Sequence, residues 1–144
     1  KNVIVNHSAD QMFNLVDRIE DYPLFLPWCG GTKVLIRDDD ITRASIHIKY
    51  SGVNQSFTTQ NTKNYPHRIE LKLIDGPFKV LNGFWIFTPI NEDACSIDFY
   101  LHYECSNFIF DKLISPIFSQ IANTFVDGFV TQADKMYNIK PFNE

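Results

Sequence analysis

The chain has 144 residues, of which 44% are hydrophobic and 15% aromatic, including thirteen Phe, six Tyr and two Trp. This size is typical of one globular domain, expected to span residues 1–144, that buries roughly 70% of the surface its unfolded form would expose. A net charge of −4, with the 13 Lys and Arg scattered along the chain, disfavours non-specific nucleic-acid binding and direct DNA binding.

Cysteine usage and the first residues bear on the compartment. Cys29, Cys95 and Cys105 form an odd set without CxxC spacing, which suits a reducing compartment better than a disulfide framework. The opening stretch KNVIVNHSADQMF has no signal-peptide hydrophobic region, and the longest apolar stretches are about half the roughly 20 residues that a membrane-spanning helix requires. We therefore expect a cytoplasmic protein, for which transient contact with a membrane surface stays open.

The N-terminal segment predicts a strand, a helix and an aromatic corner. The β-rich NVIVN is followed by Ser8 in an N-cap position and by apolar residues at spacings of three and four, which predicts a helix over about 9–19. In the next stretch, DYPLFLPWCGG, two prolines limit any helix to a turn or two, and Gly30-Gly31 should end it. We expect a compact aromatic lid or corner here.

From Thr32 to Cys105 the apolar period changes to two. Breaks at RDDD, YSGVN, KNYPH, DGPF and INEDA divide this region into six predicted strands. Short connections imply antiparallel neighbours, and the lack of helix-length segments excludes a βαβ arrangement. The predicted strands lie near 32–37, 41–50, 54–62, 67–74, 81–88 and 94–105.

The last predicted strand carries the only clustered acid–base groups. Its odd-numbered residues are apolar and its even-numbered residues are mostly polar, so one face should be buried and the other wet. Asp98, His102 and Glu104 share the polar face, and we interpret them as a solvated row. The four histidines are isolated from one another, and no HExxH, GxSxG, GxGxxG or P-loop motif is present. We therefore predict no catalytic residues and no metal ligands.

After Cys105 the apolar period returns to 3.6. Ser115 is a candidate cap, Pro116 suits the first helical turn, and the apolar stripe beyond them predicts a helix of about 22 residues. The preceding NFIFDKLI forms either a separate turn angled away at Pro116 or the start of one helix that is kinked there. The sequence leaves both alternatives open.

This order of elements predicts an α+β fold, in which a curved, seven-stranded antiparallel sheet wraps around a long C-terminal helix. One or two short helices follow the first strand. A curved sheet and a helix need not meet along their whole length, and the gap is a natural apolar cavity. The stretches DYPLFLPWC, FTT, LIDGPFKVLNGFWIFTP and FVDGFVTQADKMY resemble those of the START-like coenzyme Q-binding family, within the polyketide cyclase-like superfamily. The resemblance implies the helix-grip fold.

The resemblance implies more than one function, because the family includes bacterial ribosome association toxins and proteins labelled oligoketide cyclase or lipid transport protein. Our first hypothesis is non-enzymatic binding of a polyprenyl quinone such as ubiquinone, or of a related lipid, in support of respiration or lipid transport. No other cofactor is expected. The second is a toxin that binds a ribosomal subunit and blocks subunit joining. A polyketide cyclase or aromatase-like enzyme comes third, because the sequence identifies no polar pair inside the cavity.

The stretch LIDGPFKVLNGFWIFTP carries a turn and several rings that border the expected cavity. The composition of residues 75–77 predicts a turn with a positive φ at Gly76, and the resemblance adds a role at the cavity entrance together with Phe78. Gly83 leaves a gap in the row of side chains, open to close approach by the helix or a ligand. For each ring taken singly, ordinary packing remains the alternative to a ligand contact.

Strand parity, the helix stripe and the cavity implied by the resemblance together predict the side chains that line a ligand site. Apolar walls suffice for binding, because burial of each CH₂ of a lipid tail is worth about 0.8 kcal/mol. The predicted lining residues are Phe57, Leu71, Leu73, Phe78, Trp85, Phe87, Phe99, Tyr103, Phe118, Ile121, Ala122, Phe125 and Phe129.

Overall fold

The computed structural model describes residues 1–137, which form a curved, seven-stranded antiparallel sheet with a long helix on its concave side. The predicted fold class is confirmed. Along the sheet the strand order is β1-β7-β6-β5-β4-β3-β2. The strands are β1 (Asn2–Val5), β2 (Cys29–Arg37), β3 (Ile41–Tyr50), β4 (Val53–Asn64), β5 (Arg68–Asp75), β6 (Phe78–Asn91) and β7 (Ala94–Cys105).

The chain between the first two strands crosses the sheet. Strands β2 to β7 follow one another as hairpins, whereas β1 pairs with β7 at the opposite edge from β2. The connection must therefore pass over the concave face beside the long helix. It contains α1 (Ala9–Asp17), a 3₁₀ turn (Ile19–Asp21) and α2 (Tyr22–Phe25). We call residues 18–28 of this connection the corner segment.

Helix α1 begins as predicted and ends earlier. Ser8 and Gln11 form a capping box, in which the Gln11 N–H donates to Ser8 Oγ over 3.1 Å and the Ser8 N–H donates to Gln11 Oε1 over 3.0 Å. The helix ends at Asp17 instead of residue 19, because the chain tightens there into the 3₁₀ turn. This tightening turns Ile19 into the core, where it is fully buried.

The C-terminal helix, α3 (Phe108–Tyr137), is longer than the predicted 22 residues. It is one helix of 30 residues with Pro116 inside it, so the separate turn is excluded, while the kink at Pro116 stays a prediction. Its cap is Asn107 rather than Ser115, since the Phe110 N–H donates to Asn107 Oδ1 over 2.7 Å. Within residues 1–137 no helix has both the length and the apolar composition to cross a membrane.

Several strands are longer than alternation predicted. Gly30-Gly31 was expected to end any helix in this stretch, but α2 already ends at Phe25 and both glycines lie inside β2. This edge strand breaks register with β3 twice, between Cys29 and Gly31 and between Val34 and Ile36. The turn at residues 75–77 is present as predicted, with a φ of +150° at Gly76.

Gly83 lies where two strands come unusually close. A Cβ at this position would meet the Tyr100 carbonyl oxygen at 2.2 Å and the Leu101 Cα at 3.1 Å. The expected close approach is therefore made by the backbone of β7, and not by the helix or a ligand. The requirement for glycine here is steric, because backbone atoms in a paired strand cannot move aside cheaply.

Replacing Gly83 by alanine should destabilise the protein by about 2–4 kcal/mol, because the added methyl group forces β6 and β7 apart. Gly31→Ala is the matched control. A Cβ at Gly31 has no atom within 4 Å, so its cost should stay within about 0.5 kcal/mol. Urea unfolding of both variants checks this, and similar losses in the two would contradict the steric account.

Candidate functional site

A small cavity lies between the concave face of the sheet, α3 and the corner segment. Its volume is about 60 Å³. That is room for a few water molecules, since one needs roughly 10–15 Å³. Among the described residues 1–137, sixteen side chains form its wall. None of the sixteen is Asp, Glu, Lys, Arg, His or Cys.

Eight of the thirteen side chains predicted to line a ligand site form part of this wall. Four come from the inward faces of neighbouring strands, one each from β4, β5, β6 and β7. The other four lie on one stripe of α3, as the helical period requires. Their part in binding stays a prediction. The eight are Phe57, Leu71, Trp85, Phe99, Phe118, Ile121, Ala122 and Phe125.

The other five predicted residues pack in or against the core without forming the cavity wall: Leu73, Phe78, Phe87, Tyr103 and Phe129. Phe87 and Phe129 are fully buried in the core. Phe78 and Tyr103 pack against each other, with ring centroids 6.3 Å apart, near the start of α3. Strand parity selects a face of the sheet and not a position along it, so parity does not separate these residues from the wall.

Eight wall residues were not predicted. Three are aliphatic residues on inward strand positions, which alternation could have found. Three belong to the corner segment, whose aromatic character was recognised without a link to the cavity. Two are polar residues on β4, where FTTQNTKN shows no apolar alternation and so gives no signal. The eight are Ile46, Leu81, Leu101, Ile19, Tyr22, Trp28, Thr59 and Asn61.

Phe125 is the centre of the aromatic packing around the cavity. Its ring centroid lies 5.6 Å from that of Trp85 and 5.4 Å from that of Phe99 on the sheet. It also lies 5.0 Å from Phe129 on α3 and 5.7 Å from Trp28 in the corner segment. Such pairs contribute about 0.5–1.5 kcal/mol each beyond their buried area. Phe125 therefore joins all three elements that enclose the cavity.

An ionic network fastens the corner segment to the sheet. Asp17 accepts hydrogen bonds from the Thr42 hydroxyl over 2.8 Å and from Lys63 Nζ over 3.1 Å. Arg37 donates two hydrogen bonds of 2.7 Å to the Glu20 carboxylate, and these bonds hold the pKa of Glu20 below its usual value. The side chain of Lys63 is only 6% exposed, so loss of Asp17 would leave a buried charge without its partner.

Thr59 and Asn61 give the wall one polar end. Both point inward from β4, and their exposed fractions are 5% and 4%. The Thr59 hydroxyl donates to the Asn61 amide oxygen over 2.9 Å. The Tyr22 hydroxyl, the third such group in the wall, donates to the Val16 carbonyl oxygen.

Acids, bases and thiols lie outside the cavity wall. His102 and Glu104 are 3.0 Å apart on the exposed face of β7, which confirms the predicted solvated row. Burial raises the pKa of the Cys95 thiol to about 11 and also raises that of Cys29. A thiol with a raised pKa is a poor nucleophile near neutral pH. No group of three His, Cys, Asp or Glu in the described part of the chain could hold a metal ion.

Residues 5–130 match the family described as polyketide cyclase / dehydrase and lipid transport. The chain belongs to this family. It is 34% identical over 140 residues to the ribosome association toxin RatA of Escherichia coli. The matched region covers 97% of this chain and 89% of RatA. It is 27% identical over 138 residues to a mitochondrial coenzyme Q-binding protein of Xenopus laevis. The matched region covers 93% of this chain and 57% of that protein.

Solved structures of this family's fold are also similar. A START superfamily protein of Mycobacterium smegmatis has a TM-score of 0.66 at 20% identity, covering 92% of this chain and 95% of that one. The Zhui aromatase/cyclase of a Streptomyces species has a TM-score of 0.73 at 11% identity, covering 94% and 92%. At these identities the likeness shows the fold alone. The START-like, helix-grip fold implied by the sequence resemblance is confirmed.

Phe125→Ala should lower the free energy of unfolding less than Phe129→Ala does. Phe129 is fully buried and outside the cavity wall, so its truncation opens a new void and should cost about 3–5 kcal/mol. Phe125 already borders empty space, so the cost of its truncation should be lower than that of Phe129→Ala by at least about 1 kcal/mol. Denaturant unfolding of the pair measures the difference, and equal losses would argue that Phe125 is ordinary packing.

Proposed function

We propose that this protein binds a hydrophobic molecule, a polyprenyl quinone or a related lipid, between the sheet and α3. The observation that carries the proposal is the composition of the cavity wall, in which fourteen of sixteen side chains are aliphatic or aromatic. Apolar cavities with a few polar groups are typical of small-molecule sites. The coenzyme Q-binding relative and the lipid transport members of the family support this ligand class.

Binding requires the cavity to widen. Sites for such ligands occupy roughly 300–1,000 Å³, which exceeds the present 60 Å³ several-fold. The two halves of α3 are held differently. An ion pair of 2.9 Å (Lys1 with Asp127) and a hydrogen bond of 2.7 Å (between His7 Nε2 and Asp134 Oδ1) hold the C-terminal half. In the described chain, every ion pair between α3 and another element lies in that half.

The first turns of α3 are the part best suited to move. Phe108, Ile109 and Leu113 are 70%, 72% and 64% exposed, so they contribute little burial that would resist movement. A groove separates these turns from the β3–β4 connection around Gly52. Pro116 has no N–H, so one helical hydrogen bond is missing between these turns and the rest of α3. We therefore place ligand access between the start of α3 and the adjoining sheet turns.

The energy of such binding comes mainly from the tail. At about 0.8 kcal/mol for each buried CH₂, two isoprene units contribute several kcal/mol without any polar contact. Catalysis is not part of the proposal, because the wall supplies no carboxylate or imidazole to transfer a proton. The likeness to an aromatase/cyclase extends to the fold only.

Protein purified from a quinone-producing bacterium should carry lipid that solvent extraction and mass spectrometry detect. After the lipid is removed, titration with a short-tail quinone should be saturable. Ala122→Leu fills part of the cavity and should weaken quinone binding about tenfold or more. Asn123→Leu, at the next and exposed position of α3, is the control and should bind as the parent protein does.

The absence of both co-purified lipid and saturable quinone binding in the parent protein would refute the proposal. An equal affinity of the two α3 variants would show that the ligand binds elsewhere.

Association with a ribosomal subunit is the second candidate function. The observation that favours it is the 34% identity to RatA of Escherichia coli along 97% of the chain. The acidic net charge of −4 disfavours binding through rRNA phosphates alone, so contact with a ribosomal protein or through a local basic patch fits better. Since RatA relatives are bacterial, either function would be performed in a bacterial cytoplasm.

Added protein should shift ribosomes toward separate subunits in a sucrose gradient if this second function is correct. The same gradient with an unrelated acidic protein of similar size, at the same concentration, controls for non-specific effects of folded protein. An unchanged profile at a several-fold excess of the parent protein over ribosomes would exclude blocking of subunit joining.

A further inference from the structure

We infer that the cavity receives its ligand headgroup first, and that a neutral hydrogen-bond acceptor such as a quinone carbonyl binds at Thr59 and Asn61. This rests on the proposed function and adds to it the chemical class of the headgroup and the orientation of the ligand. The inference begins from a hydrogen-bonding group that the protein itself leaves without a partner.

The Thr59–Asn61 pair has more donors than the acceptors around it can satisfy. The Thr59 hydroxyl uses the Asn61 amide oxygen, and within residues 1–137 the Asn61 amide nitrogen has no acceptor. If the amide is rotated by 180°, one amide N–H donates to Thr59, and the other N–H and the hydroxyl are then the donors without an acceptor. Either orientation leaves a donor at the cavity wall that the protein does not satisfy.

Burial makes this donor a recognition element. Asn61 is 4% exposed, and a buried donor that finds no acceptor carries the full penalty of its lost hydration. An oxygen atom on the ligand removes that penalty. Trp85 offers a second donor in the same wall, since its indole N–H is buried and also has no acceptor among the described residues.

The wall also discriminates against charged headgroups. None of its sixteen side chains is ionisable as an acid or a base in the neutral range, so a carboxylate or phosphate would enter without a counter-charge. The nearest inward-facing cation on β4 is Lys63, two residues beyond Asn61, and it is already paired with Asp17. A neutral carbonyl therefore fits better than the headgroup of a fatty acid or a phospholipid.

The direction of β4 determines the orientation of the ligand. This strand starts beside the groove at the start of α3 and runs inward, passing Phe57 before it reaches Asn61. Phe57 packs on Phe78 and Phe118, with ring centroids 5.9 Å and 6.5 Å away, so this end is apolar. The wall becomes polar two residues further, at Thr59, and Asn61 lies roughly 13 Å beyond Phe57 along the strand. A headgroup at Asn61 leaves the tail directed toward the start of α3.

The test compares two probes with the same tail, a decyl-substituted benzoquinone and decylbenzene, in titrations followed by tryptophan fluorescence. The parent protein should bind the quinone about tenfold more tightly. Asn61→Leu should reduce quinone affinity to that of decylbenzene and leave decylbenzene affinity unchanged. Thr59→Val removes only the hydroxyl that holds the Asn61 amide in place, so it should reduce quinone affinity by less than Asn61→Leu does. Thr62→Val, on the exposed face of the same strand, should behave as the parent protein.

Thermal unfolding separates recognition from a structural role. Asn61→Leu removes an unsatisfied buried donor but also the acceptor of the Thr59 hydroxyl, so the double variant Thr59→Val/Asn61→Leu, which removes both groups, should have a melting temperature equal to or above that of the parent protein. Equal affinity of the parent protein for both probes would overturn the headgroup inference while hydrophobic binding itself stands. Binding of neither probe would overturn the proposed function as well. A lower melting temperature of Asn61→Leu with unchanged probe selectivity would assign Asn61 to structure alone.

Discussion

The packing of two α3 rings, Phe125 and Phe129, against Trp85 of the sheet is the interaction on which the arrangement of this protein depends. It holds the middle of a 30-residue helix against the centre of a curved sheet. One turn further along α3, Phe129 is fully buried, and Ala133 beyond it is also without exposure. Nearer its start the helix also meets the sheet, through the buried Ile114 and through Phe118, whose ring centroid lies 4.7 Å from that of Tyr103. The cavity lies between these two regions of contact, beside Phe118 and Phe125.

A second constraint comes from the path of the chain. Because β1 and β2 occupy opposite edges of the sheet, the segment between them has to cross the concave face. It does so beside α3 and covers the part of the sheet that one helix cannot. Asp17 and Arg37 attach this crossing to the strands through charged hydrogen bonds, whereas α3 is held by apolar contacts along its inner stripe and by the polar contacts of Lys1 and His7 in its C-terminal half. The apolar contacts nearer the start of α3 can give way to a hydrophobic ligand without the loss of a charged hydrogen bond.

The order of elements and the buried face of each apolar strand could be predicted from the sequence, since a period of two shows which residues point inward. The start of α3 could not, because Pro116 indicates a first turn and the shorter signal of Asn107 precedes an exposed stretch. Depth along a strand is also absent from such patterns, so Phe87 and Trp85 looked equivalent. Thr59 and Asn61 point inward through β4 pairing alone, in a stretch whose composition suggests solvent.

The two register breaks in β2 have a consequence for the behaviour of the protein at high concentration. As an edge strand, β2 presents unpaired backbone groups, and the exposed Leu35 and Ile36 lie beside them. A regular, apolar edge of this kind would invite a second molecule to extend the sheet. The irregularity between Val34 and Ile36 interrupts the ladder beside these side chains. Edge-to-edge polymerisation is thereby discouraged by backbone geometry, at a place where the side chains alone would favour it.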